Sequence, residues 1–398
     1  MNREEKMVAH FIREYLRPTE TFVINQIRAL KKNGNFEPTV FCKKIIEDDN
    51  TITQDLSIIE LCKYGSTIEK ILGNISYNYF RKLDDNSVIK TIEELNVRKI
   101  KILHFHYLVD ARFYIKVIRK SKLPSVISVY GYDVAEFPKR HMGLGLHYLQ
   151  PVLNEADFIL AMSNDMKNDL LKIGCKESKI IVHYHGINVN RFINENKNYA
   201  HKNPINILFC GQLTHKKAPL MIIKSLKLIE EKQLLNVPLN LIFVGDGPLR
   251  GLLQKEIAEN HLRTKVTLLG HIPHSDKRLL EEYRKADIFI LPSMVAKNDK
   301  EGIPGTLVEA MASGLPVISS RHAGIPEIVK TGENGLLIEE GDCCALANKI
   351  CKLVNNAELR KKLGLNSLRK AKELTLETKT MELEKIYSMI LETGKNNI

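Results

Sequence analysis

Apolar runs of strand length alternate with longer amphipathic stretches along most of the chain, the pattern of parallel sheets covered on both faces by helices. In the first half, Met7–Ile12, Thr39–Phe41, Ile58–Leu61, Ile102–His106, Ser125–Tyr130, Phe158–Met162 and Ile180–His183 read as strands. In the second half, Ile205–Cys210, Asn240–Val244, Val266–Leu269, Ile288–Leu291, Pro316–Ser319 and Gly335–Ile338 do so. Helices fill the gaps; over Thr21–Asn33, Phe22, Ile24, Ile27 and Leu30 share one side. The pattern predicts an α/β protein with two sheets, and 398 residues are too many for one ordinary core.

From Gly186 to Pro204 the sequence is polar and rich in Asn, with almost nothing to bury, and reads as a linker. The predicted domains are therefore 1–200 and 201–372. Beyond them the chain is charged helix, in which Leu383, Ile386, Tyr387 and Ile390 form one apolar stripe. Residues 373–398 are expected to cross back onto the first domain. Open parallel sheets bind ligands at the carboxyl ends of their strands, so the site is expected there, between the domains.

Charge adds little direction. The excess is 59 − 47 = +12, spread evenly with no basic tail, which leaves phosphate-bearing substrates, an anionic membrane face and nucleic acid open. The absence of Trp and 7% aromatic content weaken the case for base stacking, and no nucleic-acid partner is expected. Seven Cys without a CxxC pair indicate reduced thiols and no structural zinc. No apolar run reaches the roughly 18 residues of a membrane helix, and acidic residues stand where a signal peptide would be basic. The expected location is the cytoplasm, at the inner face of the cell membrane for any peripheral contact.

The most informative stretch ends a strand at Ile290-Leu-Pro-Ser293 and resumes at Glu301-Gly-Ile-Pro-Gly305-Thr-Leu-Val-Glu309, with Gly314 before the next strand. This predicts a glycine-bearing loop opening a short helix near Gly305. Gly302 and Gly305 let the backbone approach a ligand, and the amides at the helix start favour an anion such as a diphosphate. Glu309 falls roughly 6 Å along the helix, so Glu301 and Glu309 are placed to grip hydroxyls on either side. The plainer alternative is a capping box formed by Thr306 and Glu309, with Glu301 a solvated charge.

This segment resembles the E-x7-E region of the family 4 retaining glycosyltransferases, enzymes of GT-B fold whose two Rossmann-like domains face each other across a cleft. The likeness runs on through Phe209-Cys-Gly211-Gln-Leu-Thr-His-Lys216-Lys217-Ala-Pro219, Phe243-Val-Gly245-Asp-Gly247-Pro248, Leu268-Leu-Gly270-His271-Ile272-Pro273 and Ala323-Gly-Ile-Pro-Glu327 with Gly332-Glu-Asn-Gly335. Thr19-Glu-Thr21 and His104-Phe-His106 are similar to the branch that builds bacterial exopolysaccharide and other surface glycans, lipopolysaccharide and capsule among them. The resemblance implies transfer of a sugar, with retention, from a nucleoside diphosphate donor of UDP or GDP type to a saccharide or lipid-linked acceptor, without metal or other cofactor. It implies that Glu309 binds the ribose, that Glu301 holds the sugar, that Gly302, Ile303, Pro304 and Gly305 meet sugar and phosphates, and that Lys217 faces the diphosphate. Gly211, Lys216, His271 and Ile272 complete the donor side, Tyr130 stands at the sugar, and His106 and Asp133 lie on the acceptor side.

The sequence departs from the family at Gln212, where an Arg is usual, and at Tyr130, where a His is usual; Lys216 is the candidate substitute for the missing cation. A glycine-rich loop after the first strand is replaced by Arg17-Pro-Thr-Glu-Thr21. Two other readings stay open on these grounds: a non-catalytic nucleotide-sugar-binding partner of a glycan synthase, and a GT-B epimerase or storage-glycan synthase. His104-x-His106 and His183-x-His185 each place two imidazoles on one sheet face, but without a third ligand no metal is expected. Arg112, Lys116, Arg119 and Lys120, at helical spacing, read as a solvated face or as a rest for anionic lipid.

Overall fold

The computed structural model describes residues 6–15, 21–45, 55–61, 82–139, 143–200, 203–260, 262, 264–296 and 302–395. Glu301 and the segment Arg17–Glu20 lie outside the described residues. The chain divides into two compact units, one running up to Gly186 and resuming at Leu376, the other Ile187–Thr375.

The first unit is built on seven parallel strands: β1 (Met7–Tyr15), β2 (Glu37–Ile45), β3 (Ser57–Glu60), β4 (Ile102–His106), β5 (Ser125–Val129), β6 (Phe158–Ala161) and β7 (Ile180–Val182). Their order is β3-β2-β1-β4-β5-β6-β7, so the order reverses between β1 and β4. Strands β4 and β5 are buried along their whole length, and their polar members are bonded internally, His104 to Ser128, His106 to His10 and Ser125 to Asp157. The helix Leu376–Lys395 belongs to this unit, where Leu383, Tyr387 and Ile390 pack with Val8, Ile102, Val126 and Leu160 from four strands.

The second unit carries six parallel strands, β8 (Ile205–Cys210), β9 (Leu239–Val244), β10 (Lys265–Gly270), β11 (Ile288–Leu291), β12 (Val317–Ser320) and β13 (Gly335–Ile338), in the order β10-β9-β8-β11-β12-β13. Its reversal point lies between β8 and β11. Polar residues inside this sheet are satisfied locally: Ser319 Oγ donates to Leu291 O at 2.6 Å, and Ser320 Oγ donates to Ser293 O.

The expected linker is not one. The unit begins at Ile187, and the polar stretch that follows is a strap laid on the second unit. Asn194 N donates to Ala312 O, Ser313 Oγ to Phe192 O at 3.1 Å, Tyr199 Oη to Gly314 O at 2.7 Å, and Lys197 Nζ to Arg284 O at 2.8 Å. Gly314, at φ +71°, accepts this close packing, because a Cβ there would stand 2.9 Å from the Tyr199 hydroxyl. A strap held by hydrogen bonds needs few apolar residues, so composition disguised it.

The basic stripe, read as a solvated face or a rest for anionic lipid, is partly exposed, with Arg119 and Lys120 at the surface. It falls on two short helices, Leu108–Phe113 and Ile115–Ser121, and three of its charges are engaged. Arg112 lies over the Tyr148 ring and donates to Tyr148 O, Lys116 pairs with Asp85 at 2.9 Å, and Arg119 pairs with Glu155 at 3.0 Å.

Leu383, fully buried, seats the last helix. Leu383→Ala is expected to cost about 2–5 kcal/mol of stability in the first unit, read as a lower urea midpoint. An unchanged midpoint would show that the helix is not seated as described.

Candidate active site

At the carboxyl ends of β8 and β11, where the strand order reverses, the second unit brings most of the expected donor-side residues together. Strand β8 leads through Gly211 to a 3-10 turn, His215–Lys217. Gly245, at φ +134°, has no room for a side chain: a Cβ would sit 1.9 Å from Gly211 O. Gly247 is likewise closed off by Leu213, 2.6 Å from its O. The Gly245–Gly247 turn, which fails the dinucleotide-binding pattern, therefore lets the ends of β8 and β9 lie backbone to backbone, with Gly211 N bonded to Val244 O and Leu213 N to Asp246 O. The Lys217 stem passes over Gly211, its Cδ 3.8 Å from where a Cβ would be. Met294 N bonds to Lys216 O at 2.9 Å, which ties this turn to the loop leaving β11. Gln212 is exposed at the rim.

From β11 the chain returns through Gly302, Ile303 and Pro304 into the helix Gly305–Ala312. Pro304 is its N-cap, and no side chain caps it. The capping-box alternative is thus overturned: Thr306 Oγ1 is buried without a partner, and Glu309 turns elsewhere. A Cβ at Gly302 or Gly305 would meet nothing within 4 Å among the described residues, and neither has a positive φ. The backbone of the loop is open on that face among the described residues, and the first amides of a helix have no acceptor within the helix itself.

Glu309 is buried, 6% exposed, and both of its oxygens are held. Oε2 accepts from the Tyr283 hydroxyl at 2.9 Å, and Oε1 pairs with His274 Nε2 at 3.1 Å. Phe192 stands against both partners, with ring centroids 5.1 Å from Tyr283 and 5.4 Å from His274. The Tyr283 phenol is pushed well above its usual range by burial, then by the neighbouring Cys210 and Glu309, so it remains a donor. Burial raises the Cys210 thiol to about 12. Among the described residues, three buried hydroxyls lack partners here, on Thr214, Ser293 and Thr306. They follow β8, follow β11 and open the helix, all at the same end of the sheet. His271 is exposed and Ile272 buried just after β10, on the chain that leads to His274.

Sequence reasoning missed Tyr283, His274 and Phe192. They lie 26, 35 and more than 100 positions from Glu309, and Tyr283 is one of the buried positions of the helix Lys277–Lys285.

In the first unit, Tyr130, at the end of β5, is partly exposed. Its hydroxyl bonds His106 Nδ1 at 2.7 Å, and His106 Nε2 bonds His10 Nδ1 at 3.1 Å. His106 is 1% exposed and its ring is fully engaged, so it supports Tyr130 rather than offering itself as a contact. Asp133 is fully buried and braces the backbone, accepting from Leu108 N at 2.9 Å and Tyr130 N at 3.2 Å. Neither of these two expected acceptor-side residues presents its side chain to a ligand.

His10 supplies the third imidazole that the sequence reading lacked, close enough with His104 and His106 for a metal. Five of the six ring nitrogens are already used, His104 binding Ser128 Oγ at 2.8 Å and the Tyr387 hydroxyl at its other nitrogen. Of the six, His10 Nε2 has no partner among the described residues. Burial lowers all three imidazoles, His10 to about 3, so they are neutral; His10 and His106 form a hydrogen-bonded chain to Tyr130, while His104 bonds Ser128 and Tyr387 separately.

Two family models match consecutive parts of the chain, one described as Glycosyltransferase Family 4 over residues 19–191 and one as Glycosyl transferases group 1 over residues 190–370. Together the two glycosyltransferase models run from residue 19 to residue 370, through both units of the chain. It is 33% identical over 258 residues to the amylovoran biosynthesis glycosyltransferase AmsK of Erwinia amylovora, covering 64% of this chain and 61% of that one. It is 34% identical over 203 residues to the putative colanic acid biosynthesis glycosyltransferase WcaL of Escherichia coli, covering 50% and 48%. The match thus spans between about half and three fifths of the length of these curated relatives. The structure of Anabaena HepE in complex with UDP is similar at a TM-score of 0.74 and 16% identity, covering 96% of this chain and all of that one. This likeness establishes the GT-B fold.

Two measurements test the geometry. Gly305→Ala is expected to leave stability unchanged or raise it by about 0.5 kcal/mol, since the site tolerates a Cβ, while weakening nucleotide binding at least tenfold. Unaltered binding would show that no ligand approaches this face. The Asp133 carboxyl, pushed up to about 6 by burial against the opposing backbone hydrogen bonds, should titrate near that pH by NMR. Because its folded pKa is raised, the stabilisation it gives is complete below about pH 4 and lost as pH rises through 6. A midpoint below 4 would contradict its burial.

Proposed function

We propose that the second unit binds a nucleoside diphosphate sugar and that the protein transfers the sugar to a saccharide acceptor in the assembly of a bacterial surface polysaccharide. The observation that carries this reading is the convergence, at one strand-order reversal, of an open glycine-bearing helix start, three unpartnered buried hydroxyls and a buried, firmly held carboxylate. An uncapped helix start suits a diphosphate, and Glu309 suits the hydroxyls of a ribose. Lys217, beside Gly211, supplies a cation for the charge that grows on the diphosphate as the glycosyl bond breaks. Relatives named for amylovoran and colanic acid biosynthesis support the polysaccharide assignment, and the UDP complex of HepE supports a uridine donor.

The transfer is proposed to retain the anomeric configuration, the departing diphosphate helping to take the acceptor's proton, with Glu301 on the donor sugar. Among the described residues no helix is long and apolar enough to cross a membrane. A second reading, a donor-binding protein without transfer, draws on Gln212 in place of a second phosphate cation.

The test is a thermal-shift series with UDP, GDP, ADP and their sugars, followed by product analysis with a saccharide panel. One nucleotide series is expected to stabilise the wild type, Glu309→Ala to lose most of that shift, and the product anomer to match the donor. Equal shifts in both proteins would remove Glu309 from the site; donor binding without any transfer would favour the second reading.

A further inference from the structure

We propose that Tyr283 and His274 form a clamp that presents Glu309 to the vicinal hydroxyls of a ribose, making the site select ribonucleotide over 2′-deoxyribonucleotide donors. This rests on the donor reading above and deepens it.

A glutamate side chain on a short helix has three rotatable bonds, and fixing it only when ligand arrives would cost binding free energy. Here the orientation is set beforehand. The carboxylate can only accept, so the Tyr283 hydroxyl donates to Oε2 at 2.9 Å and the Nε2–H of His274 donates to Oε1 at 3.1 Å. One lone pair on each oxygen is spent, and one on each remains. Two acceptor sites on adjacent oxygens match two hydroxyls on adjacent carbons, as on the 2′ and 3′ positions of a ribose. The donors are themselves held: Phe192 of the strap packs on both rings, and Tyr283 stacks on Phe289 at 6.0 Å. Tyr283 is wholly buried, whereas the His274 side chain is 55% exposed, so the clamp has one fixed jaw and one at the surface.

The Glu309 side chain is only 8% exposed. A ligand lacking one hydroxyl leaves a lone pair of a charged group unpaired where solvent reaches it poorly, and sites built to bond a hydroxyl reject analogues without it.

The experiment is calorimetric titration of the full chain with UDP, GDP and their 2′-deoxy counterparts. With the base that binds, the wild type is expected to prefer the ribonucleotide by about 10- to 100-fold. Tyr283→Phe, which keeps the ring and loses the donor, is expected to weaken ribonucleotide binding about tenfold, leave the 2′-deoxy form nearly unchanged and so narrow the preference. His274→Leu should do the same, and His274→Gln, which restores an N–H donor, should recover part of the loss. Should Tyr283→Phe not fold, the exposed His274 pair carries the test. Wild-type affinities and preference in both Tyr283→Phe and His274→Leu, with ribonucleotide binding lost in Glu309→Ala, would overturn the clamp and leave the donor reading standing. Binding of none of the diphosphates would overturn both.

Discussion

The buried carboxylate of Glu309 constrains everything around it. A charge with so little solvent contact is tolerable only when hydrogen-bonded, and the two donors that meet it come from distant parts of the second unit. Tyr283 arrives on the helix before β11 and His274 on the chain after β10, while Phe192 of the strap backs both. The position of the Gly305–Ala312 helix is fixed by the same contacts, because Ser313 and Asn194 bond the strap to its end. The geometry of the helix start is therefore coupled to that of the carboxylate one turn further on.

The sheet supplies the other constraint. With β8 and β11 adjacent, the strand order reverses between them, the position at which open parallel sheets bind ligands beyond their carboxyl ends. Gly245 and Gly247 draw the β9 end against Gly211 and Leu213 there. Gly302 and Gly305 are under no such demand from the described protein, since neither a positive φ nor a neighbouring atom requires them. Glycine at the first pair serves packing; at the second it leaves the backbone accessible.

Much of this was legible in the sequence, for a physical reason. A parallel strand covered on both faces is largely apolar, so central strands such as β8 and β11 appear as clear runs, and Gly302, Gly305 and Glu309 stand out in the loop and helix after β11. The strap was misread because its attachments are backbone and polar groups, which look like solvated linker. His106 and Asp133 were recognisable as polar residues at strand ends, yet nothing local reveals that His10 and the backbone of Leu108 and Tyr130 consume their bonding capacity. The His274 and Tyr283 partners of Glu309 exist only through the fold, and short-range pattern carries no trace of them.

The most direct measurement is a crystal structure with UDP bound. The account predicts the diphosphate against the amides of Gly302–Gly305, the Lys217 ammonium on its flank, and the ribose hydroxyls on Glu309 with the Tyr283 and His274 contacts retained. A nucleotide seated elsewhere, or a Glu309 that touches only protein while the nucleotide is bound, would contradict it.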